Sequence, residues 1–158
     1  MKAKASNALP AAVVDSSPIM SMFEGRSSAR AFVEGLRKAR KLYMSAGTLL
    51  ELSVVFIGKK SAAGTQPLDD LLAEFEVEIV PFDRPMVVHG RRGCASYGKG
   101  HNPADLNMGD LFPYALARSL DVPLYFEGLD FFQTDVKDAM AMLGYAFDAR
   151  HSPRLPPT

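Results

Sequence analysis

The chain has 158 residues, which fits one domain, and its 47% hydrophobic content is enough to bury a substantial core. Lysine plus arginine and aspartate plus glutamate number 18 each, so overall charge favours neither a strongly basic nucleic-acid binder nor an acidic tail. The single cysteine, Cys94, excludes an internal disulfide and suits a reducing cytosol. No apolar run approaches the roughly 18 residues of a membrane span, so we expect a soluble, cytoplasmic protein with no membrane partner.

The first half of the chain alternates predicted strands and helices. Residues 11–14 form a short apolar run that ends at an aspartate and a Ser-Ser-Pro turn, which is typical of a buried strand followed by a helix start. Apolar residues at helical spacing predict a helix over residues 28–40, and residues 42–45 are predicted to be the next strand. A helix is favoured from Thr48 onward, although the β-branched residues 53–57 also permit a strand.

The second half continues the alternation. Residues 67–75 and 83–97 are predicted helices on either side of a strand that ends at Val80. The clearest helix spans residues 108–119, where apolar residues recur at the i, i+3, i+4, i+7, i+8 spacing. A last strand is predicted over residues 122–126. This alternation favours an α/β fold of three layers, with a mainly parallel sheet flanked by helices.

Four acidic residues lie where an apolar run gives way to a polar turn or a helix start: Asp15, Glu51, Asp110 and Asp130. Because the carboxyl ends of parallel strands share one edge of a sheet, acids far apart in sequence can converge there. Two carboxylates about 4 Å apart repel by roughly 4 kcal/mol at an effective dielectric of about 20, so such a cluster must bind a proton or a cation. Oxygen-only ligands favour Mg²⁺ or Mn²⁺, and phosphodiester hydrolysis is the chemistry that fits them.

Each of the four acids can equally serve as a helix cap or turn residue. Thr48 with Glu51, and Asn107 with Asp110, have the spacing of a capping box, in which two side chains bind exposed N–H groups. The other two aspartates precede predicted helix starts, where aspartate is a common cap. A shared site is favoured by the joint pattern, because all four acids stand at junctions between elements.

Further residues near the acids are candidates for supporting roles. Hydroxyl and amide side chains that could support a bound ion are Ser16, Thr48 and Asn107. Basic residues around the loop before the Asp110 helix that could hold an RNA backbone are Arg91, Arg92, Lys99 and His101, although a solvated helix end explains them as well. The histidines lack zinc-like spacing, and the sequence has no P-loop, dinucleotide-binding or nucleophile-elbow motif.

Several blocks, in order, resemble VapC-type PIN-domain ribonuclease toxins of type II toxin–antitoxin systems. The blocks are residues 13–17 (VVDSS), 45–51 (SAGTLLE) and 107–117 (NMGDLFPYALA), followed by residues 128–131 and 133–136. The single motifs are short, but their ordered set is fairly specific. The resemblance covers about residues 12–136.

The resemblance implies a PIN-like fold and a Mg²⁺- or Mn²⁺-dependent endoribonuclease that hydrolyses RNA. It also implies a homodimer and restraint by a VapB-like antitoxin protein. The positions that match the family's catalytic and metal-binding acids are Asp15, Glu51, Asp110 and, as the best match to the fourth, Asp130. Asp135 is the alternative for the fourth position.

Two departures from the family pattern bear on function. Leu129 occupies the first acidic position of a block that often reads Gly-Asp-Asp-Phe, which motivates the alternative of a non-catalytic PIN-like binding module. Ser16 stands where threonine is frequent but keeps a hydroxyl. A further alternative is a phosphotransfer protein with Asp15 as acceptor, although the second aspartate of such a motif is missing.

The limits of the resemblance divide the chain into three parts. Residues 1–10 are an N-terminal extension, residues 11–136 are the PIN domain, and residues 137–158 are a C-terminal extension. The C-terminal extension begins with a short predicted helix around Met140. Residues 150–158 are rich in proline and are expected to be disordered.

Overall fold

The core of the protein is a sheet of four short parallel strands. A computed structural model describes residues 8–100 and 102–157; residues 1–7, most of the N-terminal extension, lie outside the described part. The strands are β1 (Ala12–Val14), β2 (Leu42–Ser45), β3 (Val77–Val80) and β4 (Leu124–Tyr125), in the order β3-β2-β1-β4. β1 pairs on both sides, with Val13 opposite Tyr43 of β2 and Leu124 of β4. The predicted α/β architecture with a parallel sheet is confirmed.

Helices cover both faces of this sheet: α1 (Ser16–Glu24), α2 (Ala29–Leu36), α3 (Ala46–Gly58), α4 (Gln66–Glu74), α5 (Arg84–Tyr97), α6 (Met108–Leu120) and α7 (Ala139–Met142). Successive residues of a strand point to opposite faces, so β1 contributes Ala12 and Val14 to one core and Val13 to the other. The first core includes Phe32 of α2, and the second includes Leu116 of α6. The result is three layers, with the sheet in the middle.

Two helix predictions agree closely with the structure. α6 begins at Met108, where its apolar spacing begins, and ends one residue beyond the predicted end. α5 follows Asp83, whose carboxylate accepts a hydrogen bond from the Met86 N–H at 3.2 Å and so caps the helix. Within the described part of the chain, no helix is both long enough and apolar enough to cross a membrane.

The start of α3 differs from the prediction. β2 runs directly into the helix, and the Ser45 hydroxyl caps it by accepting a hydrogen bond from the Gly47 N–H at 3.2 Å. Thr48 is therefore already inside the first turn, and the predicted capping box with Glu51 is not formed. The helix continues through residues 53–57, so the helical alternative for that segment is confirmed.

The end of the chain also differs from the expectation of disorder. A two-stranded hairpin joins β5 (Ala146–Phe147) to β6 (Pro153–Arg154), with Phe147 opposite Pro153. His151, in the turn, is buried. Proline-rich composition indicated disorder, but the hairpin is ordered because aromatic side chains of the domain surround this histidine.

Candidate active site

Asp15 follows β1 at the carboxyl edge of the sheet. Its carboxylate caps α1, accepting hydrogen bonds from the Ser17 N–H at 3.2 Å and the Ser17 hydroxyl at 2.6 Å. Only 5% of its surface is exposed, and this burial raises the pKa of Asp15 against the opposing bonds from Ser17 and Ser16. The charge of Glu51 raises the pKa of Asp15 further, so these two carboxylates lie near each other.

Asp110 lies in the first turn of α6 and forms the predicted capping box with Asn107. The Asn107 N–H donates to the Asp110 carboxylate at 2.9 Å, and the Asp110 N–H donates to the Asn107 side chain at 3.1 Å. Burial raises the pKa of Asp110 to about 7 against the hydrogen bond from Asn107, and the charges of the other three acids add to this increase. Asp110 therefore both caps α6 and stands among the other acids.

Glu51 reaches this group from α3. Its side chain is exposed to solvent, but its carboxylate lies against the backbone of Gly109 in the first turn of α6. A Cβ added at Gly109 would collide with Glu51 Oε2. A carboxylate in this place also interacts favourably with the positive end of the α6 dipole.

The two candidates for the fourth acid have different surroundings. The charge of Asp130 raises the pKa of Asp110, and partial burial together with Asp105 raises the pKa of Asp130 itself. Asp135 instead accepts a hydrogen bond from the Tyr114 hydroxyl at 2.9 Å and pairs with Arg118 at 3.4 Å. Asp130 therefore joins the acidic group, whereas Asp135 is held by partners of its own.

The supporting hydroxyl groups are only partly those expected. Ser17, rather than Ser16, holds Asp15 with its hydroxyl, which also accepts a hydrogen bond from the Glu127 N–H at 3.0 Å. Ser16 contributes only a backbone hydrogen bond. The Thr48 hydroxyl is buried and has no hydrogen-bond partner among the described residues. It is thus available to a ligand that the protein alone does not supply.

The basic residues proposed as RNA contacts are spread over two surfaces. Arg91 borders an apolar groove beside Met108, whereas Arg92 lines a polar depression with Arg118. Lys99 is exposed at the start of the loop that leads to α6. Within residues 8–100 and 102–157, none of these three forms an ion pair. His101 lies outside the described residues.

The loop before α6 runs beside Asp130. The Gln133 amide donates a hydrogen bond to the Pro103 carbonyl at 3.4 Å, and the charge of Asp105 raises the pKa of Asp130. Lys99 begins this same loop, and its N–H donates to the Leu106 carbonyl at 3.0 Å. The loop therefore places Asp105 beside Asp130, while Lys99 at its start is exposed and forms no ion pair with the described residues.

The chemistry of these donors fits a hard divalent cation. Every donor is an oxygen, the carboxylates repel one another, and one of them already has a pKa of about 7. The buried Thr48 hydroxyl is a further oxygen without a partner. Among residues 8–100 and 102–157, however, no three His, Cys, Asp or Glu side chains converge closely enough to hold an ion in this arrangement.

Comparison with known families decides which fold family this is. The model of the PIN domain matches residues 12–137, which is most of the chain. The chain belongs to the PIN-domain family. The resemblance predicted from the ordered sequence blocks is confirmed.

Named relatives of this PIN domain are VapC proteins. It is 31% identical over 128 residues to Ribonuclease VapC42 of Mycobacterium tuberculosis, covering 80% of this chain and 98% of that protein. It is 32% identical over 129 residues to Ribonuclease VapC28 of the same organism, covering 81% and 97%. The VapBC-1 structure from nontypeable Haemophilus influenzae shares its fold, with a TM-score of 0.61, 22% identity and coverage of 82% and 98%.

Three features of the PIN-domain site were missed by sequence reasoning. These are the hydrogen bond from the Ser17 hydroxyl to Asp15, the charge of Asp105 beside Asp130, and the close contact of Gly109 with Glu51. Only the glycine carried a signal, because a glycine inside a helical pattern often marks a close approach of another group. The other two depend on contacts that spacing does not reveal.

Proposed function

We propose that this PIN domain is a Mg²⁺- or Mn²⁺-dependent endoribonuclease and the toxin of a toxin–antitoxin pair. The observation that carries the proposal is the meeting of acids from separate parts of the chain: the Glu51 carboxylate lies against Gly109, beside Asp110 in the first turn of α6. In agreement with this arrangement, burial and the charges of Asp15, Asp130 and Glu51 raise the pKa of Asp110 to about 7. Such a group is stable near neutral pH only with a proton or a cation. The named relatives are ribonucleases, which indicates the reaction.

The residues that would hold the cation are Asp15, Glu51, Asp110 and Asp130. When bound, Mg²⁺ or Mn²⁺ lowers the pKa of a water and neutralises charge on a phosphate oxygen. Asn107 fixes Asp110, and Ser17 fixes Asp15, so two carboxylates are oriented before any ligand arrives. Asp110 loses its proton as the cation enters, so binding should release protons near neutral pH.

We assign substrate binding to exposed cations of α5 and of the loop that follows it. Arg91, Arg92 and Lys99 are exposed and lack an acidic partner among the described residues, so each can contact a phosphate of the RNA backbone. Hydrolysis adds water across one P–O bond and leaves a phosphate on one fragment and a hydroxyl on the other. We place this reaction in the cytoplasm, where RNA is available.

A protein surface on α3 supports the proposed partners. Leu50, Val54 and Ile57 are 66%, 61% and 63% exposed and follow the i, i+4, i+7 spacing of one helix face. Similar solved structures include VapBC2 of Rickettsia felis and VapBC-1 of nontypeable Haemophilus influenzae, so a VapB-like antitoxin and a second copy of the chain are the partners we propose. Sedimentation of the isolated chain and its Val54→Glu variant tests this: loss of a dimer assigns the face to self-association, and a retained dimer assigns it to the antitoxin.

Cleavage of total cellular RNA by the purified protein tests the proposed reaction. The reactions contain Mg²⁺, Mn²⁺ or EDTA, and the Asp110→Asn variant is run in parallel. The matched control is Asp121→Asn, which removes an exposed carboxylate from the other end of α6. Discrete cuts that need both the metal and Asp110, but not Asp121, support the nuclease. Intact RNA in every reaction would favour a non-catalytic binding module.

A further inference from the structure

The C-terminal extension packs against the segment that carries Asp130. The PIN-domain match ends at residue 137, so α7 and the β5–β6 hairpin lie beyond it. The extension is attached to the sheet by its own backbone, because the Leu124 N–H donates to the Lys137 carbonyl at 2.8 Å. The chain beyond residue 137 is therefore built onto β4, the strand that leads to Asp130.

His151 is the centre of this attachment. It is 8% exposed, and its ring stacks on Phe147 with centroids 4.0 Å apart and 5° between the planes. The same ring lies 5.4 Å from Phe126 and 4.7 Å from Phe132. Its Nε2 forms a hydrogen bond with Asp138 at 2.5 Å, which orients the imidazole from the base of the extension. Three rings and one carboxylate thus surround one histidine.

Two of these rings flank Asp130 in the sequence. Phe126 directly follows β4, four residues before the acid, and Phe132 follows the acid by two. Between these two rings in the sequence, the Gly128 N–H donates a hydrogen bond to the His151 carbonyl at 3.5 Å. The Asp130 side chain itself makes no capping hydrogen bond to the short helix that follows it. The place of this acid therefore depends on how the residues on either side are held.

We propose that His151 is a positioning residue that holds Asp130 within the acidic group, acting through Phe126, Phe132 and Gly128. The C-terminal extension then adds to the contacts that Ser17 and Pro103 make with residues 127–133. The expected loss of cleavage rate when His151 is replaced rests on the proposed function. The expected faster hydrogen exchange of residues 127–133 does not. Hydrogen exchange and cleavage kinetics can therefore be read separately.

Hydrogen exchange of the metal-free protein tests the positioning directly. His151→Ala should speed exchange of the amides in residues 127–133, because that segment then opens more often. His151→Phe keeps a flat ring but loses the bond to Asp138, so its exchange should lie between those of the parent and the alanine variant. The control is Tyr145→Ala, which removes a contact of the extension with Lys38, two residues beyond α2, and should leave these amides unchanged.

Two exchange results would overturn the positioning role. One is exchange in residues 127–133 that is the same for His151→Ala and the parent. The other is exchange in His151→Phe as fast as in His151→Ala, which would show that the ring stack does not hold the segment. If the alanine variant exchanges quickly along its whole length because it unfolds, the phenylalanine variant decides the question.

Cleavage kinetics test the link to Asp130. In an active parent, His151→Ala should lower kcat by about 10- to 100-fold with little change in KM, as for a displaced catalytic group. In an Asp130→Asn background, the same change should have no further effect on kcat. If the kcat losses of His151→Ala and Asp130→Asn are additive, His151 does not act through Asp130, even if hydrogen exchange shows that it holds the segment. A parent that cuts no RNA would instead refute the proposed function and leave the exchange experiment to decide the role of His151.

Discussion

The Glu51 carboxylate lies against the backbone of Gly109, so closely that the position has no room for a Cβ. This contact joins α3 to the first turn of α6 and places Glu51 beside Asp110. It predicts that Gly109→Ala displaces the end of the exposed Glu51 side chain and leaves the fold intact. The cleavage rate should fall by about 10- to 100-fold, as for a displaced catalytic group.

The matched control for this change is Gly58→Ala. Gly58 ends α3, and an added Cβ there meets no other atom within 4 Å. This variant should cleave RNA like the parent and gain about 0.5–1 kcal/mol in free energy of unfolding. Initial cleavage rates and urea unfolding of both variants provide the comparison. Full activity of Gly109→Ala would show that the position of Glu51 does not matter.

Removal of the Ser17 hydroxyl tests how Asp15 is oriented. Ser17→Ala breaks the hydrogen bond to the Asp15 carboxylate and the one from the Glu127 N–H, so it should cost about 1–3 kcal/mol of stability. The pKa of Asp15 should rise further, and a higher Mg²⁺ concentration should be needed for half-maximal cleavage. Ser16→Ala is the control, because the Ser16 hydroxyl makes no hydrogen bond within the described part of the chain. Equal effects of the two changes would contradict this assignment.

The acidic group should destabilise the metal-free protein above neutral pH. Asp110 loses its proton near pH 3.8 when unfolded and near pH 7 when folded. Between these values the folded protein binds the additional proton, so the stability contributed by this carboxyl falls as the pH rises from about 4 to about 7. In EDTA at pH 8, Asp110→Asn should therefore be more stable than the parent by up to about 2 kcal/mol, since partial exposure reduces the full effect.

Urea unfolding in EDTA at pH 4 and pH 8 measures this difference. The stability gain of Asp110→Asn should largely disappear at pH 4, where the carboxyl is protonated in the folded protein and pH is close to its ordinary pKa of 3.8 in the unfolded chain. Asp121→Asn is the matched control, because Lys137 lowers the pKa of Asp121 and its replacement should bring no gain at pH 8. If Asp110→Asn raises the free energy of unfolding by the same amount at pH 4 and pH 8, the electrostatic explanation is wrong.

The unpartnered Thr48 hydroxyl predicts opposite effects on stability and activity. Thr48→Val keeps the branched shape but removes a buried polar atom without a partner, so the metal-free protein should gain about 1 kcal/mol. Cleavage should become slower if this hydroxyl serves a bound ligand, as we expect. Thr48→Ser keeps the hydroxyl and should retain the rate. Thermal melting and cleavage assays on both variants are needed, and equal rates for valine and serine would remove Thr48 from the site.

The exposed cations predict a salt-dependent contribution to RNA binding. Arg92→Ala combined with Lys99→Ala should weaken binding of single-stranded RNA and reduce the salt slope by about 0.7 for each lost phosphate contact. Fluorescence anisotropy in EDTA measures this without cleavage. The control is Arg30→Ala on α2, because this cation has 83% of its side chain exposed but already pairs with Glu34 at 4.0 Å. An unchanged salt slope would place the RNA elsewhere.

Local sequence patterns predicted most of the elements correctly, because helices and strands follow periodicities that neighbouring residues carry. The helix at Met108 and its capping box with Asn107 and Asp110 were predicted in this way and are observed. The start of α3 was predicted two residues too late, because either of two hydroxyl residues, Ser45 or Thr48, could cap it and only the end of β2 selects Ser45. Local chemistry alone could not choose between them.

By itself, the sequence determined that acids stand at the junctions of a parallel α/β sheet, since apolar runs and turn residues mark those junctions. Only the tertiary structure decided that Tyr114 and Arg118 hold Asp135, whereas the charge of Asp130 raises the pKa of Asp110. It also decided that residues 151–157 pack as an ordered segment that includes β6. Both results depend on contacts between residues that are far apart in the sequence. Asp135 binds Tyr114 and Arg118, which the fold places next to it, and the proline-rich segment is ordered because His151 is buried against aromatic rings.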